Sequence, residues 1–379
     1  MNFNLTKEQE MVKTLMREFA EKEVKPIAAD IDEEERFPRE TVEKMARYAM
    51  MGIPFPKELG GAGGDTLSYI IAVEELSRVC GTTGVILSAH TSLGAHPIYQ
   101  YGTEEQKEKY LKPLAEGKYL GAFGLTEPNA GTDAACQQTI AVLEGNHYVI
   151  DGSKVFITNG GESDIYIIFA MTDKAKGTRG ISAFIVEKDF PGFSIGKIEN
   201  KMGIRGSSTS ELIFENCIVP KENLLGQEGK GFGIAMQTLD GGRIGIAAQA
   251  LGIAQGALDE CTKYMKERKQ FGKPLAAFQG LQWMYADMAT KVQAARFLVY
   301  NAAMKKDQKL PFATEAAMAK LFASETAMEV TTNAVQIHGG YGYIREYPIE
   351  RMMRDAKITE IYEGTSQVQK MVIAANLLK

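Results

Sequence analysis

An isolated acidic residue near the end of the chain is the first candidate for chemistry. Glu363 lies in the segment ITEIYEGTSQVQ, residues 358–369, between two apolar helical stretches and directly before a glycine. A turn needs only glycine and a small polar cap, so this position does not by itself require a function. A carboxylate in an apolar setting can act as a general base, because desolvation raises its pKa. Glu363 is therefore a candidate base if other segments bring a substrate to it.

Two further segments carry groups suited to a planar cofactor with phosphates. FGLTEPNAGTD, residues 123–133, places Thr126, Gly131 and Thr132 on a proline-containing turn whose free backbone N–H groups suit phosphate or carbonyl oxygens. VFITNGG, residues 155–161, places an aromatic ring and a hydroxyl on a predicted strand, where they can lie against a planar ring. An ordinary turn and an ordinary strand end explain these segments equally well.

Charged and glycine-rich helix ends supply the remaining candidates. Asp240 and Arg243 are three residues apart at the start of a predicted helix and hence on one face, where a structural ion pair or a binding role would fit. ERKQFG, residues 267–272, and QIHGGYGY, residues 336–343, each end a helix with glycine beside basic or amide groups, which is common at helix ends. No single segment decides the function.

Composition excludes several classes of protein. The net charge is −5 and Lys and Arg are interspersed with acids, so no basic face for nucleic acid is evident. No stretch is long and apolar enough to span a bilayer, and the N-terminus lacks a signal or transit pattern, so we expect a soluble cytoplasmic protein. The cysteines and histidines share no metal-ligand spacing, which predicts reduced core cysteines and no metal site. GQEGKGFG, residues 226–233, matches neither a dinucleotide-binding nor a P-loop pattern.

The elements that must position these residues fall into three segments. Residues 1–118 show helical periodicity, with capping boxes predicted at Thr6 and Thr103. Residues 119–230 contain short β-rich runs broken by Gly, Asn, Asp and Pro, which predicts a small antiparallel sheet domain. Residues 231–379 contain long amphipathic helices. The sequence predicts a mainly α fold with an N-terminal helical domain, a β middle domain and a C-terminal helical bundle domain.

In this order, the segments closely resemble the acyl-CoA dehydrogenase family over residues 5–378. The resemblance rests on GLTEPNAGTD, FITNGG, LDGGRIGIAAQALGIAQ, ERKQFG, QIHGGYGY and RDAKITEIYEGTSQVQ at the family's separations. The motif LDGGRIGIAAQALGIAQ looks most like the short-chain, butyryl-CoA branch of the family in its bacterial form. The resemblance implies a C-terminal four-helix bundle, a homotetramer arranged as a dimer of dimers, and one non-covalent FAD per chain.

The resemblance also assigns roles to residues. Glu363 matches the catalytic base, and Gly242 stands where other branches carry theirs. Substrate contacts are implied for Thr132, Asp240, Arg243, Tyr362 and Gly364. FAD contacts are implied for Phe123, Leu125, Thr126, Gly131, Thr132, Phe156, Ile157, Thr158, Arg268, Phe271, Phe278, Gln279, Gln336, Ile337, Gly339, Gly340, Thr365 and Gln367, some of them across a subunit contact.

The implied reaction converts a short-chain acyl-CoA, above all butyryl-CoA, to the trans-2-enoyl-CoA. Glu363 would take the α-proton while the β-hydride passes to FAD, and the electrons would go to an electron-transfer flavoprotein. Some relatives work in reverse as crotonyl-CoA reductases, and the sequence leaves the direction open. An acyl-CoA oxidase and a non-catalytic scaffold are the alternatives. Two positions depart from the family: Phe156 replaces a frequent Trp, and His338 replaces a commoner apolar residue, for which we expect a packed role at a helix end.

Overall fold

The N-terminal part of the chain is helical in the computed structural model, which describes residues 4–379. Both predicted capping boxes are confirmed, and in the first one Thr6 Oγ1 accepts from the Gln9 N–H while Gln9 Oε1 accepts from the Thr6 N–H. Short π-helical and 3-10 segments connect several of these helices. The α-helices are α1 (Lys7–Phe19), α2 (Ala28–Glu34), α3 (Arg39–Arg47), α4 (Thr66–Ser77), α5 (Gly81–Ala89), α6 (His96–Tyr101), α7 (Glu104–Gln106) and α8 (Lys112–Ala115).

A twisted sheet forms the middle of the chain. Its strands are β1 (Gly121–Gly124), β2 (Ile140–Glu144), β3 (His147–Thr158), β4 (Ile165–Met171), β5 (Ile181–Glu187), β6 (Phe193–Ile198), β7 (Thr209–Pro220) and β8 (Leu224–Leu225). They lie in the order β6-β7-β3-β2-β4-β5-β8, with β1 beside β4. Most pairs are antiparallel, as predicted, but β1 and β2 each pair with β4 in parallel. The prediction missed these two pairs because strand periodicity identifies a strand and not its partner.

Long helices form the C-terminal part. They are α9 (Gly231–Glu267), α10 (Gln279–Asp307), α11 (Ala313–His338), α12 (Ile349–Ile358) and α13 (Ser366–Leu377), and a short β9 (Lys269–Gln270) and β10 (Lys273–Pro274) hairpin joins α9 to α10. The order of helices, sheet and helices confirms the predicted fold class, whereas the residue boundaries of the three domains stay a prediction. Within residues 4–379, no helix combines the length and apolar character that a membrane crossing requires.

Helix α9 runs through the largest apolar core and packs directly on α4, α5 and α11. Small residues on α9 permit this packing, because a Cβ at Gly252 would lie 2.3 Å from the Glu74 carbonyl oxygen and one at Gly256 would lie 2.0 Å from that of Arg78. Only glycine allows such an approach of helix to backbone. Closer to the start of α9, a Cβ at Gly245 would lie 2.4 Å from Ser88 Oγ on α5 and 2.9 Å from the Tyr69 hydroxyl on α4. The turn just before Gly245 carries Asp240, Gly242 and Arg243.

Candidate active site

The turn between α12 and α13 holds Glu363 in an unusual backbone conformation. Glu363 has φ 51° and Gly364 has φ 92°, so a residue with a side chain occupies the left-handed region, at a cost of about 1–2 kcal/mol. Two buried side chains bind the turn. Lys320 Nζ on α11 donates to the Gly364 carbonyl at 2.7 Å, and Gln369 Nε2 on α13 donates to the same oxygen at 2.8 Å and to the Glu363 carbonyl at 3.2 Å. The turn is therefore positioned by two helices of the C-terminal bundle.

The Glu363 carboxyl lies against the glycine surface of α9. Its Oε2 is buried and has no hydrogen-bond partner in residues 4–379. A Cβ at Gly242 would lie only 2.2 Å from this oxygen and 2.9 Å from Leu93 Cδ2, so the carboxyl occupies the space left by the missing side chain. Burial raises the pKa of Glu363 to about 7, against the opposing charges of Lys320 and Arg243. A buried, unpaired carboxyl with that pKa is suited to accept a proton near neutral pH.

Asp240 and Arg243 form an ion pair, one of the two roles that their spacing left open. Arg243 Nη1 donates to Asp240 Oδ1 at 2.5 Å, and Arg243 is 6% exposed. Burial raises the pKa of Asp240, and the Arg243 charge opposes this shift. Arg243 Nε is buried without a partner in the described part of the chain. The pair leaves the Arg243 Nε–H as a donor that a bound ligand can use.

Tyr362 is fixed beside the base. Its hydroxyl hydrogen-bonds the Gln249 side chain, whose amide donates to the Gly81 carbonyl at 3.0 Å. Tyr362 packs with a small apolar cluster that includes Val85, Ile246 and Ile358. Tyr362 and its cluster thus form an apolar side next to the Glu363 carboxyl, which agrees with the burial that raises the pKa of Glu363.

The proposed flavin loop and strand end are adjacent. The Val155 N–H donates to the Thr126 carbonyl at 2.9 Å, which joins the loop after β1 to the last residues of β3. Phe156 follows with φ 60° at an irregularity in the β3–β7 pairing, and it is 65% exposed. Ile157 is buried, whereas a Cβ at Gly131 would touch nothing within 4 Å. The loop surface is open, with an aromatic side chain beside it.

A buried ion pair between Lys154 and Glu127 stabilises the loop between β1 and β2. Lys154 on β3 is fully buried, and its Nζ donates to Glu127 Oε1 at 2.7 Å, to Gln137 Oε1 at 3.1 Å and to the Leu125 carbonyl at 3.3 Å. Glu127 in turn accepts from the N–H groups of residues 138 and 139. Burial lowers the pKa of Lys154 to about 8, although Glu127 opposes that shift. One ammonium therefore fastens both ends of the loop.

A second group of predicted residues lines a separate cavity of about 500 Å³. Arg268, Ile337, Gly339 and Gly340 all contribute to its wall. The Arg268 guanidinium lies over the Tyr341 ring, 5.3 Å from its centroid. Neither Glu363 nor the loop of residues 125–139 lines this cavity. A single chain therefore does not bring the two groups of predicted FAD contacts together.

Other predicted contacts do not line this cavity. Phe271, at the tip of the β9–β10 hairpin, is 94% exposed and packs against Phe278 with ring centroids 6.1 Å apart. Gln279 begins α10 and Gln336 lies in the last turn of α11. Thr365 caps α13 by accepting from the Val368 N–H at 3.3 Å, as its position at a helix start requires.

Comparison with known proteins shows which protein family the chain belongs to. Three family models match the chain. The acyl-CoA dehydrogenase N-terminal domain matches residues 6–118, the middle domain residues 122–217 and the C-terminal domain residues 229–378. The chain belongs to the acyl-CoA dehydrogenase family.

Individual members of the acyl-CoA dehydrogenase family are similar over the full length of the chain. The "Acyl-CoA dehydrogenase, short-chain specific" of Clostridium acetobutylicum is 70% identical, covering 100% of both chains. The solved structure of butyryl-CoA dehydrogenase from Megasphaera elsdenii has 56% identity and a TM-score of 0.99, again over 100% of both chains. A further solved structure is described as the electron transferring flavoprotein of Acidaminococcus fermentans and concerns flavin-based electron bifurcation. One of its chains is 62% identical to this chain, with a TM-score of 0.99 over 100% of both chains.

The residues present fit the FAD of an acyl-CoA dehydrogenase. The exposed Phe156 ring and the open Gly131 loop leave room for a planar ring system, and Gly339 and Gly340 leave the second cavity equally open. Arg268 supplies a cation at that cavity, which suits a pyrophosphate. No group of His, Cys, Asp or Glu in residues 4–379 has the arrangement of a metal site.

The structure also corrects or extends the sequence predictions. Cys80, Cys217 and Cys261 are buried as expected, but Cys136 is exposed, so its prediction as a core residue was wrong. It lies in the polar loop after Asp133, where no apolar periodicity marked it for burial. His338 is buried, stacks on Tyr264 with centroids 4.2 Å apart and bonds the Ala334 carbonyl, so the packed role is confirmed.

Proposed function

We propose that this acyl-CoA dehydrogenase oxidises a short-chain acyl-CoA, with butyryl-CoA as the preferred substrate, to the trans-2-enoyl-CoA. The observation that carries the proposal is the Glu363 carboxyl, whose Oε2 is buried without a partner in the described residues and lies against Gly242. The length of the acyl chain rests on the similarity to the short-chain specific enzyme of Clostridium acetobutylicum and to butyryl-CoA dehydrogenase.

In the proposed reaction, Glu363 removes the α-proton of the bound thioester. The developing negative charge on the thioester oxygen needs a hydrogen-bond donor, and the Glu363 N–H, which donates to no backbone carbonyl in residues 4–379, would supply one. Asp240 and Arg243 face the acyl-CoA, while Tyr362 and Gly364 border the reacting carbons and Thr132 contacts the substrate from the loop. Bound FAD supplies the acceptor for the β-hydrogen, which leaves as hydride.

The cofactor contacts follow the two groups described above. Phe123, Leu125, Thr126, Gly131 and Thr132 would surround the ring on one side, with Phe156, Ile157 and Thr158 on the other. The pyrophosphate and adenosine would contact the residues of the second cavity and its neighbourhood, which are Arg268, Phe271, Phe278, Gln279, Gln336, Ile337, Gly339 and Gly340. Thr365 and Gln367 would contribute at the start of α13, where free N–H groups favour anions.

Because these two groups are separate within one chain, we expect partner subunits to complete each FAD site in a homotetramer. The expected mass is four times that of the 41.6 kDa chain. The electrons would leave to an electron-transfer flavoprotein, which the Acidaminococcus fermentans neighbour supports. We also expect a cytoplasmic location. Light scattering on the purified protein tests the assembly.

Anaerobic titration with acyl-CoA esters from C4 to C12 tests the activity. We expect butyryl-CoA to bleach the flavin absorbance, and the rate of dye reduction to fall with longer chains. Crotonyl-CoA added to reduced enzyme tests the reverse direction. A colourless protein, or a yellow one that butyryl-CoA does not bleach, would favour a scaffold, and peroxide formed at the rate of substrate loss would favour an oxidase.

A further inference from the structure

Lys320 is a buried cation that no motif of the sequence singled out. It lies on α11 with none of its surface exposed, and its Nζ donates to the Gly364 carbonyl at 2.7 Å. Burial lowers the pKa of Lys320 to about 8, while the charge of Glu363 opposes that shift. Burying an ammonium is costly unless it is paired, so the nearby partners must offset the cost.

We propose that Lys320 is a positioning residue for the reaction: its ammonium holds the turn that directs the Glu363 carboxyl toward Gly242, and its charge stabilises the ionised carboxyl. The inference rests on the proposed function, because it concerns the state of the base. It goes beyond that function by assigning the control of the base to a residue of a different helix.

The charges that face Glu363 leave Lys320 as the principal one. Arg243 approaches from α9, but its guanidinium is already paired with Asp240, whose carboxylate offsets its charge. The Tyr69 hydroxyl on α4 also faces Glu363, and it is bonded to the Ser88 carbonyl at 3.2 Å. Glu360 acts on Lys320, but its carboxylate is paired with Lys357 Nζ at 2.6 Å. Apart from Lys320, these groups therefore carry little net charge. Lys320 is therefore the main electrostatic support of a carboxylate that burial would otherwise protonate.

The geometry of the turn depends on Lys320 in a second way. Glu363 occupies the left-handed region, which a residue with a side chain leaves unless its surroundings prevent it. Lys320 and Gln369 both donate to the Gly364 carbonyl, the next peptide along. Gln369 makes this contact without a charge, so it offers a matched control that separates the holding of the turn from the electrostatic effect.

The test titrates the base in four forms of the full-length holoenzyme. The forms are the wild type, Lys320→Met, Lys320→Arg and Gln369→Met, and thermal melting of each checks folding. The infrared band of the protonated Glu363 carboxyl, identified by its absence in Glu363→Gln, is followed against pH without substrate. The pH dependence of kcat/KM for butyryl-CoA is measured in parallel.

We expect Lys320→Met to move both the infrared titration and the acid limb of kcat/KM upward by about one pH unit, because an opposite charge has been removed. Lys320→Arg should keep the wild-type titration of Glu363. Gln369→Met should lower kcat but leave the titration of Glu363 at the wild-type pH. A Lys320→Met titration that coincides with the wild type would overturn the proposal. If Lys320→Met does not fold, Lys320→Gln makes the same comparison. Since the infrared band requires no turnover, failure of wild-type bleaching would count against the proposed function alone.

Discussion

A methyl group at position 242 should slow the reaction while leaving the fold intact. In Gly242→Ala the new Cβ would lie 2.2 Å from Glu363 Oε2, whereas an ordinary contact is at least 3.4 Å. The carboxyl oxygen must therefore move by about 1 Å, and a displacement of that size costs about 10²-fold in rate when it affects a reacting group. In free energy this is about 2.7 kcal/mol of transition-state stabilisation.

The same substitution should cost little stability. Alanine is more favourable than glycine inside a helix by about 1 kcal/mol, which offsets the strain against the flexible end of Leu93. The matched control is Gly233→Ala, which lies on the same helix and has no atom within 4 Å of the added Cβ. The measurements are initial rates of dye reduction with butyryl-CoA, flavin absorbance and thermal melting of both variants.

The expected result is a slow Gly242→Ala enzyme that keeps its flavin and melting temperature, beside a Gly233→Ala enzyme with wild-type rates. Wild-type turnover by Gly242→Ala would refute the reasoning, because the carboxyl would not then work from the position described. Loss of flavin or an early melting transition would show that the glycine serves packing instead.

Three further predictions concern the base and the loop. Glu363→Gln should remain yellow and bind acyl-CoA while turnover falls by at least about 10³-fold, and stopped-flow bleaching that retains the wild-type rate would reject the base assignment. With the pKa of Glu363 at about 7, the ionised fraction and hence kcat/KM should rise about tenfold from pH 6 to pH 8, so a flat rate profile would contradict the assignment. Lys154→Met should lower the free energy of unfolding by about 3–5 kcal/mol and weaken FAD retention, because it leaves the Glu127 carboxylate buried and unpaired. Adding Glu127→Gln should recover part of that loss in denaturant melts, and no recovery would exclude the pair as the cause.

Local features of the structure were predictable where a single segment determines them. The cap at Thr6 and the pairing of Asp240 with Arg243 depend on residues three apart, so spacing alone indicates them. The Lys320 contact joins a residue on α11 to the turn before α13, 44 residues away in the sequence, and no periodicity marks it. The fit of the Glu363 carboxyl against Gly242 could not be predicted either, because it depends on where the turn between α12 and α13 places that carboxyl.

The resemblance to a family supplied what local chemistry could not. Glu363 and the loop residues were assigned by matching segments, while their residues alone fitted ordinary turns. The left-handed backbone at Phe156 arises from an irregular pairing between β3 and β7, which depends on strand partners that alternation of residues does not specify. The roles of individual site residues stay predictions until the variants above are measured.

The approach of α9 to the carbonyl groups of Glu74 and Arg78 has a consequence for motion. Surfaces in contact at backbone level cannot slide or hinge without separating the helices altogether, so the wall of the site formed by α9 should be rigid on the timescale of turnover. Entry of an acyl-CoA must then be accommodated by other parts of the molecule, such as the open surface of the loop around Gly131. Amide hydrogen exchange should accordingly be slowest in the middle of α9 and faster in that loop.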